Sequence, residues 1–343
     1  MLVSVRTPLR VSLFGGGTDY PAYFHRSPGA VLGFTIDKYI YLSALPLTAT
    51  VDYRYRLSYS KIENVDSIDE IEHPVVRAVL QHYRWQEPTD FSVQADLPAA
   101  VGLGSSSAFT VGMVNLVSHL MGMPRTRMEL AREAIHTEQV LLRENVGVQD
   151  QLHASFGGIN RFDLAGNGFR ITPINISGRD LAVLDDWMVL VYTGIKRRAT
   201  HIVAEQVANT KSHSVDAELR EMLLLVDEAQ GILEDSARVD EAPIRIGALL
   251  DRSWRLKKRL SSSISVPQID ELYDFCIANG ALGGKLCGAG GGGFLLLVVP
   301  PERRAGFEGA IGARRCVRFT VDLHGSMLIA SPMPPGRSAA LPI

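Results

Sequence analysis

The segment Pro98–Phe109 (PAAVGLGSSSAF) has the residue types of an anion-binding loop. Its glycines let the backbone come close to a ligand, and an apolar, helix-patterned stretch follows at 111–121. Free N–H groups and the macrodipole at the start of a helix favour negative charge, and serine hydroxyls reach phosphate oxygens or a metal ion. The segment is not a Walker A loop, because the chain contains no GxxxxGK[ST]. We predict a cradle for nucleotide phosphates formed by Gly102, Leu103, Gly104, Ser105, Ser106 and Ser107.

Two carboxylates, Glu138 and Asp150, flank the segment 139–149. A magnesium ion that bridges nucleotide phosphates takes one or two oxygen ligands from the protein. Activation of a hydroxyl acceptor needs a carboxylate within reach of its proton. The two residues can divide these tasks, although a helical glutamate such as Glu138 is commonly just solvated.

A glycine turn follows the first predicted strand. Arg10 begins that strand, which ends in Phe14-Gly15-Gly16-Gly17-Thr18-Asp19. Consecutive glycines let the chain pass close to a ligand or to another backbone segment, and Asp19 can accept hydrogen bonds from sugar hydroxyls. A tight turn capped by Asp19 is the structural alternative, and both interpretations stay open.

Basic residues and a second glycine run complete the set of candidates. Lys196-Arg197-Arg198 precede a predicted helix, either as a solvated end or as a phosphate site, and Lys285 is a further cation. The run 288–293 matches GxGxxG literally. A strand follows it rather than a helix, so a dinucleotide-binding turn is excluded. The run predicts a loop that joins two strands.

The bulk properties narrow the class of protein. A chain of 343 residues favours two domains, and its 46% hydrophobic and 21% charged residues are typical of a soluble globular protein. A formal net charge of −2 argues against nucleic acid as a partner, and the longest apolar run is too short to span a membrane. Three cysteines without a CxxC pair and the absence of a signal-peptide pattern favour the cytoplasm. Whether the protein forms a homo-oligomer stays open.

The elements that must position these residues form an α+β pattern. We predict strands at 10–14, 30–36, 39–45, 53–59 and 91–95, and helices near 105–121, 127–143 and 148–155. Polar strands follow up to about residue 177, then a buried strand at 187–193 and a charged helical region at 199–278. Two strands (281–286 and 293–300), a helix (302–312) and a strand (315–321) close the pattern. The change of pattern places a domain boundary near residue 180.

Three glycine motifs stand in a fixed order: an arginine strand ending in GGGTD, then PxxxGLGSSSA, then KxxGAGGGG. This arrangement resembles the GHMP kinase superfamily over residues 5–300. The resemblance implies an N-terminal ATP-binding domain (1–180) like the second domain of ribosomal protein S5, and a ferredoxin-like C-terminal domain (181–343). It also implies ATP, Mg²⁺ and transfer of the γ-phosphoryl group to a small alcohol.

The resemblance also implies roles for individual residues. Ser106 and Glu138 match the family's magnesium ligands, Asp150 matches the catalytic aspartate, and Arg10 matches the basic residue beside it. The phosphate loop corresponds to 102–107, and the glycine run 288–293 matches the motif that supports the site.

The acceptor is indicated by a departure from the galactokinases, which carry a Glu-His pair where this chain has Gly16 and Gly17. GGGTD, GVQDQ, TGIKRRA and GGKLCGAGGGGF resemble the D-glycero-D-manno-heptose 7-phosphate kinases, and the fucokinase-like branch has a related start. The resemblance implies a 1-kinase that makes the 1,7-bisphosphate for nucleotide-activated heptose and surface polysaccharide. The substrate-site candidates are Gly16, Gly17, Thr18, Asp19, Arg197, Arg198, Lys285, Gly290 and Gly291.

Two alternatives stay open. One is a kinase for another sugar, such as fucose or an unphosphorylated heptose. The other is a non-catalytic sensor that binds ATP and sugar, against which the joint presence of Arg10, Ser106, Glu138 and Asp150 argues.

Overall fold

The computed structural model of the protein describes residues 2–166, 168–195 and 200–330. In these ranges the chain forms an eight-stranded and a four-stranded β-sheet. The strands of the first sheet are β1 (Val3–Phe14), β2 (Gly29–Pro46), β3 (Tyr55–Ser58), β4 (Ile62–Val65), β5 (Thr89–Ala95), β6 (Ile159–Ala165), β7 (Gly168–Pro173) and β12 (Met327–Ala330). The strands of the second sheet are β8 (Met188–Tyr192), β9 (Gly283–Leu286), β10 (Phe294–Val298) and β11 (Cys316–Val317).

The first sheet has the strand order β12-β1-β2-β5-β3-β4. Outside this order, β6 pairs with both β2 and β7. The second sheet has the order β11-β8-β10-β9 with antiparallel neighbours throughout. This mixture of sheets and helices agrees with the predicted α+β class.

Strand β2 is a single long strand where the sequence predicts two. Its pairing with β1 shifts between Pro8, which faces Tyr39, and Leu9, which faces Ile36. The two residues between them, Asp37 and Lys38, form a bulge that interrupts the alternation of side chains. The first half of β2 therefore pairs with β6 and the second half with β5.

The helices cover the two sheets. They are α1 (Pro21–Phe24), α2 (Pro74–His82), α3 (Ser105–Leu120), α4 (Arg127–His136), α5 (Gln149–Phe156), α6 (Gly178–Trp187), α7 (Thr200–Lys211), α8 (Asp216–Leu233), α9 (Ala242–Arg259), α10 (Pro267–Ala278) and α11 (Arg304–Ile311). Helix α3 is buried on nearly all sides, because it packs on β1 and β2 and is flanked by α2, α4 and α5. Its first turn is thereby held in a fixed position.

Helix α6 was not predicted. Its signal is the S-x-x-D sequence at Ser177–Asp180, in which the Ser177 hydroxyl accepts a hydrogen bond from the Asp180 amide at 3.2 Å. The polar residues before Ser177 make the start of α6 hard to predict, since the same residue types are common in turns.

The chain returns to the first sheet after the second sheet is complete. The strand predicted at 315–321 is limited to β11, and Val321 then bridges to Ile36. Strand β12 pairs with β1 through Arg6–Met327 and Ser4–Ala330. The domain division at residue 180 stays a prediction, and the last described residues lie with the first sheet.

One hydrophobic cluster extends through both sheets. Helix α8 packs on β1 and β2, and α9 packs on β9 and β10, so the two helices fill the space between the sheets. The end of β1, the start of α3 and the β9–β10 loop meet at this junction. In the described ranges, the helices fall short of the length and apolarity that a membrane span requires.

Candidate active site

A cavity of about 230 Å³ opens where the three glycine motifs meet. Its wall combines the turn after β1, the loop before α3, the loop before α5 and the start of the β9–β10 loop. The lining side chains from outside the predicted set include Ser12, Tyr20, Glu144, Gln149, Gln206 and Lys257.

Arg10 and Asp150 form a bidentate ion pair in the wall of the cavity. Nε and Nη2 of Arg10 donate to Oδ1 and Oδ2 of Asp150, both at 2.7 Å, and Nη1 donates to the carbonyl of Gly102 at 2.8 Å. Burial works against the charge of Arg10, but the attraction and hydrogen bonds of Asp150 raise the pKa of Arg10 above its ordinary value. The Asp150 side chain keeps 25% of its surface exposed, so it remains open to a ligand.

The loop before α3 presents backbone donors to the cavity. Gly104, with φ +72°, precedes the helix, and a Cβ there would lie 3.0 Å from Cγ of Arg10. The amide of Ala108 bonds to the carbonyl of Gly104 at 2.9 Å, which leaves the amides of the three serines before it as the open donors of the helix. These open amides at the start of a helix favour an anion bound at residues 102–107.

Leu103 contributes to this loop in a different way from its neighbours. Its side chain is completely buried in the core, and its carbonyl accepts a hydrogen bond from the Arg10 amide at 3.0 Å. It therefore anchors the loop on β1 and offers no side chain to a phosphate.

Glu138 lies in a wide helical turn, Thr137–Leu141, that continues α4. The predicted helix 127–143 is thus not regular: the Leu142 amide bonds to the carbonyl of Thr137, five residues back. An extra residue in a turn rotates the side chains that follow. Glu138 points inward with 1% exposure, while Val140 is 55% exposed.

Only one of the two oxygens of the Glu138 carboxylate has hydrogen-bond partners. Its Oε2 accepts hydrogen bonds from Ser107 at 2.9 Å and from Gln151, whereas Oε1 has no partner among the described residues. Burial raises the pKa of Glu138 to about 7.

The unpaired Oε1 fits a divalent cation, since Mg²⁺ takes oxygen ligands and commonly shares them with nucleotide phosphates. Ser106 supplies a hydroxyl on the same cavity wall. In the described part of the chain, His, Cys, Asp and Glu form no group of three or more that could hold a metal alone. The residues present therefore suit an ion that also binds a phosphate ligand.

The GGGTD turn contributes a buried carboxylate to the cavity. Asp19 accepts hydrogen bonds from the Gly17 amide and from Nε2 of Gln149, both at 2.9 Å. Burial raises the pKa of Asp19. Gly16 and Gly17 also line the cavity, as the substrate prediction requires.

Thr18, in contrast, faces the protein interior. Its hydroxyl lies 2.8 Å from the carbonyl of Gly15 and 2.9 Å from that of Ala30, and it accepts from the Ala30 amide at 3.1 Å. The prediction that Thr18 binds substrate is corrected: Thr18 ties the turn to β2.

The β9–β10 loop touches the cavity only at its start, through Gly288 and Ala289. The backbones of Gly290 and Gly291 instead approach Ile264. The Gly291 amide donates to the carbonyl of Ile264 at 2.8 Å, and a Cβ on Gly290 would lie 2.9 Å from Cα of Ile264. The assignment of these two glycines to the substrate is corrected, because they pack on Ile264 and the cavity is lined by Gly288 and Ala289.

Two lysines complete the wall. Nζ of Lys285 donates to the carbonyl of Leu13 at 2.8 Å. Nζ of Lys257, on α9, donates to the carbonyls of Leu286 at 3.0 Å and of Gly288. Arg197 and Arg198 lie outside the described residues.

Sequence reasoning missed Lys257 among the charges of α9. The signal was its spacing: Lys257 stands three residues after Trp254 and seven after Leu250, on the buried stripe of the helix.

Two family models match separate parts of the chain. A model of the GHMP kinases N terminal domain matches residues 71–158, and a model of the GHMP kinases C terminal region matches residues 236–312. The chain belongs to the GHMP kinase family. The predicted family and its two-domain α+β fold are confirmed.

Known sugar kinases are similar to this GHMP kinase over most of its length. The D-glycero-alpha-D-manno-heptose 7-phosphate kinase of Campylobacter jejuni is 29% identical over 304 residues, which cover 84% of this chain and 86% of the relative. The L-fucokinase/L-fucose-1-P guanylyltransferase of Bacteroides fragilis is 27% identical over 322 residues, which cover 83% of this chain and 33% of the relative.

The fold agrees with a solved structure of the family. The crystal structure of a D-glycero-D-manno-heptose 1-phosphate kinase from Bacteroides thetaiotaomicron has a TM-score of 0.78 and 21% identity, and the match covers 97% of this chain and 100% of that one. This GHMP kinase is a sugar kinase, a phosphotransferase that takes ATP as its phosphate donor.

Proposed function

We propose that this GHMP kinase phosphorylates the anomeric hydroxyl of D-glycero-D-manno-heptose 7-phosphate, with ATP as donor, to give the 1,7-bisphosphate. The observation that carries the proposal is the Arg10–Asp150 pair, which lies in one cavity with the open amides of α3. The name of the Campylobacter jejuni relative supports this acceptor. The product would serve nucleotide-activated heptose synthesis in the cytoplasm, for surface polysaccharide.

The donor side of the proposed site is the first turn of α3. The triphosphate binds the amides of 105–107, where the helix dipole stabilises negative charge. Ser106 and Oε1 of Glu138 would hold Mg²⁺, which would neutralise charge on the phosphates. The Ser107 hydroxyl keeps Glu138 in place from the side that the metal does not use.

The acceptor side centres on Asp150, which orients the hydroxyl on C1. The bond from this oxygen to the γ-phosphorus forms as the bond from the γ-phosphorus to the bridging oxygen of ADP breaks, and the hydroxyl proton passes to the carboxylate and then to water. Each carboxylate oxygen already accepts one bond from Arg10 and keeps a lone pair for the hydroxyl. Arg10 stabilises the charge that develops on the acceptor.

The sugar occupies the end of the cavity beside Gly16, Gly17 and Asp19 in this proposal. A Cβ on Gly17 would lie 3.0 Å from both Nε2 of Gln206 and Cδ2 of Leu219, so the protein itself occupies that space. The missing side chain at Gly16, where the nearest atom to a Cβ would be Oγ of Ser12 at 3.5 Å, leaves room for the sugar, and Asp19 accepts hydrogen bonds from its hydroxyls.

A panel of acceptors tests the proposal. Purified enzyme, ATP and Mg²⁺ are incubated with heptose 7-phosphate, heptose 1-phosphate, unphosphorylated heptose, L-fucose and galactose, and ADP release is followed. We expect the highest kcat/KM for heptose 7-phosphate and a new anomeric phosphate in the ³¹P spectrum. Heptose 1-phosphate is included because the Bacteroides thetaiotaomicron protein is named for that substrate.

A higher kcat/KM for L-fucose would favour the function named for the Bacteroides fragilis relative. Binding of ATP and sugar without ADP release would indicate a sensor and contradict the proposal.

A further inference from the structure

Two buried lysines on the cavity wall lack an acidic partner. Lys257 is 7% exposed and Lys285 is 3% exposed. Within the described ranges, the hydrogen bonds of both ammonium groups go to backbone carbonyls alone. The neighbouring Lys258, by contrast, pairs with Asp270 at 3.1 Å.

A buried ammonium group without a counter-ion is unfavourable, because it loses hydration and gains no attraction in return. Burial, with the repulsion of Lys285 and Arg10, lowers the pKa of Lys257 to about 7. Burial and Arg10 lower the pKa of Lys285 to about 8. The attraction of Cys287, and after it that of Asp19, opposes both pKa shifts, while Asp150 is engaged by Arg10. The wall therefore carries a positive charge that an anionic ligand would balance.

The position of the lysines favours the sugar side of the cavity. Lys285 is held by the carbonyl of Leu13, two residues before the glycine turn that carries Gly16, Gly17 and Asp19. Asp19 of that turn also acts on the ammonium groups of both lysines. The open amides for the triphosphate lie at the start of α3.

We propose that Lys257 and Lys285 together bind the phosphate of the acceptor, the group that does not react. This assignment rests on the proposed function, in which the acceptor is a sugar phosphate. Lys257 uses two of its three N–H donors on carbonyls and Lys285 uses one. Three donors remain, which equals the number of terminal oxygens on a phosphate monoester.

The test replaces each lysine by methionine, which keeps the length of the side chain and removes the charge. We expect Lys257→Met and Lys285→Met each to raise KM for heptose 7-phosphate roughly 10- to 100-fold, the range for hydrogen bonds to charged groups. The KM for ATP should stay within about 3-fold in Lys285→Met, whose bond goes to the carbonyl of Leu13. Lys257→Met also loses a bond to the carbonyl of Gly288, which touches the phosphate loop, so its KM for ATP should rise less than its KM for heptose 7-phosphate. The preference for heptose 7-phosphate over unphosphorylated heptose should fall by the same factor as KM rises.

Lys258→Met is the matched control, because it removes a lysine from the same helix at the next position. Its side chain pairs with Asp270 away from the cavity, so its kinetics should equal those of the wild type. Lys257→Arg restores the charge and should recover part of the preference for the phosphorylated sugar. Thermal unfolding of each variant verifies that it is folded, and Lys257→Gln is a second replacement if methionine prevents folding.

Different outcomes overturn different statements. If wild-type enzyme prefers heptose 7-phosphate and both methionine variants keep that preference, the lysine assignment alone is wrong. An equal loss of kcat for phosphorylated and unphosphorylated heptose would place the lysines at the transferred phosphoryl group instead. Calorimetric titration of heptose 7-phosphate without ATP provides the binding constants directly. If wild type neither binds nor phosphorylates this sugar, the proposed function fails together with the assignment.

Discussion

Gly102 and Gly288 touch through their backbones. A Cβ on Gly288 would lie 2.4 Å from Cα of Gly102, and a Cβ on Gly102 would lie 2.6 Å from the carbonyl oxygen of Cys287. Both residues have positive φ, +81° and +70° respectively. The phosphate-loop motif and the β9–β10 motif are therefore in direct contact, and this contact sets the distance between the two walls of the cavity.

Replacement of Gly288 by alanine should separate these loops. The new methyl group meets backbone atoms that cannot move aside, and positive φ is strained for alanine, so we expect the free energy of unfolding to fall by about 1–3 kcal/mol. The KM for ATP should also rise, because the phosphate loop is displaced. Urea unfolding and steady-state kinetics measure the two effects.

Gly309→Ala is the control for this substitution. Gly309 lies in α11, has no positive φ, and a Cβ there meets nothing within 4 Å. Alanine should be neutral or stabilising by up to about 1 kcal/mol. Equal stability of the two variants would show that the contact between the loops matters little.

Asp150→Asn should reduce kcat by at least about a hundredfold, since the acceptor hydroxyl loses its charged partner. Asp163→Asn is the matched control: Asp163 also accepts from two arginines, Arg161 and Arg170, but it lies outside the cavity. Rates of ADP release for both variants decide the role, and near-normal turnover of Asp150→Asn would exclude Asp150 as the catalytic carboxylate.

Local signals in the sequence predicted the individual candidates, and the resemblance to the GHMP kinases implied that they form one site. Glycine turns, a serine-rich helix start and isolated carboxylates are short-range patterns, and the structure brings Arg10, Ser106, Glu138 and Asp150 to one cavity. The family resemblance supplied the role of each of these residues.

Contacts between distant segments were not predictable in the same way. Gly290 and Gly291 were assigned to the substrate because a glycine run does not reveal which backbone approaches it, here that of Ile264. Thr18 was misassigned for the same reason, since its partner on β2 is twelve residues away. The inward direction of Glu138 depends on one wide turn, which a regular helical pattern conceals.

Glu138→Gln should raise the Mg²⁺ concentration needed for half-maximal activity. The amide keeps the size of the side chain but loses the charge that a divalent cation requires. Titration of activity with Mg²⁺ at saturating ATP measures the shift. Glu129→Gln is the control, because Glu129 lies in the capping box of α4, where glutamine also serves. An unchanged Mg²⁺ titration for Glu138→Gln would exclude it as a ligand.

The KM for heptose 7-phosphate should rise as pH increases from 7 to 9. With pKa values of about 7 for Lys257 and about 8 for Lys285, both lysines are protonated below this range and lose their protons within it. The substrate phosphate stays dianionic there, since its second pKa is about 6. Of the charges around the lysines, Arg10 stays protonated, and burial raises the pKa of Asp19 and of the Cys287 thiol.

The unphosphorylated heptose is the comparison for this pH profile. Its KM should show no matching rise, because it carries no group for the lysines. A parallel rise for both sugars would assign the pH dependence to another part of the site.

The pairing of β12 with β1 has a consequence for synthesis of the chain. Strand β12 covers the edge of β1 at residues 4–6, yet it is made about 320 residues later. At roughly 5–20 residues per second, a nascent chain carries that uncovered edge for about 16–64 s. An open strand edge pairs readily with other chains. The speed of translation through the second half of the message therefore determines how long the first sheet is exposed to incorrect partners.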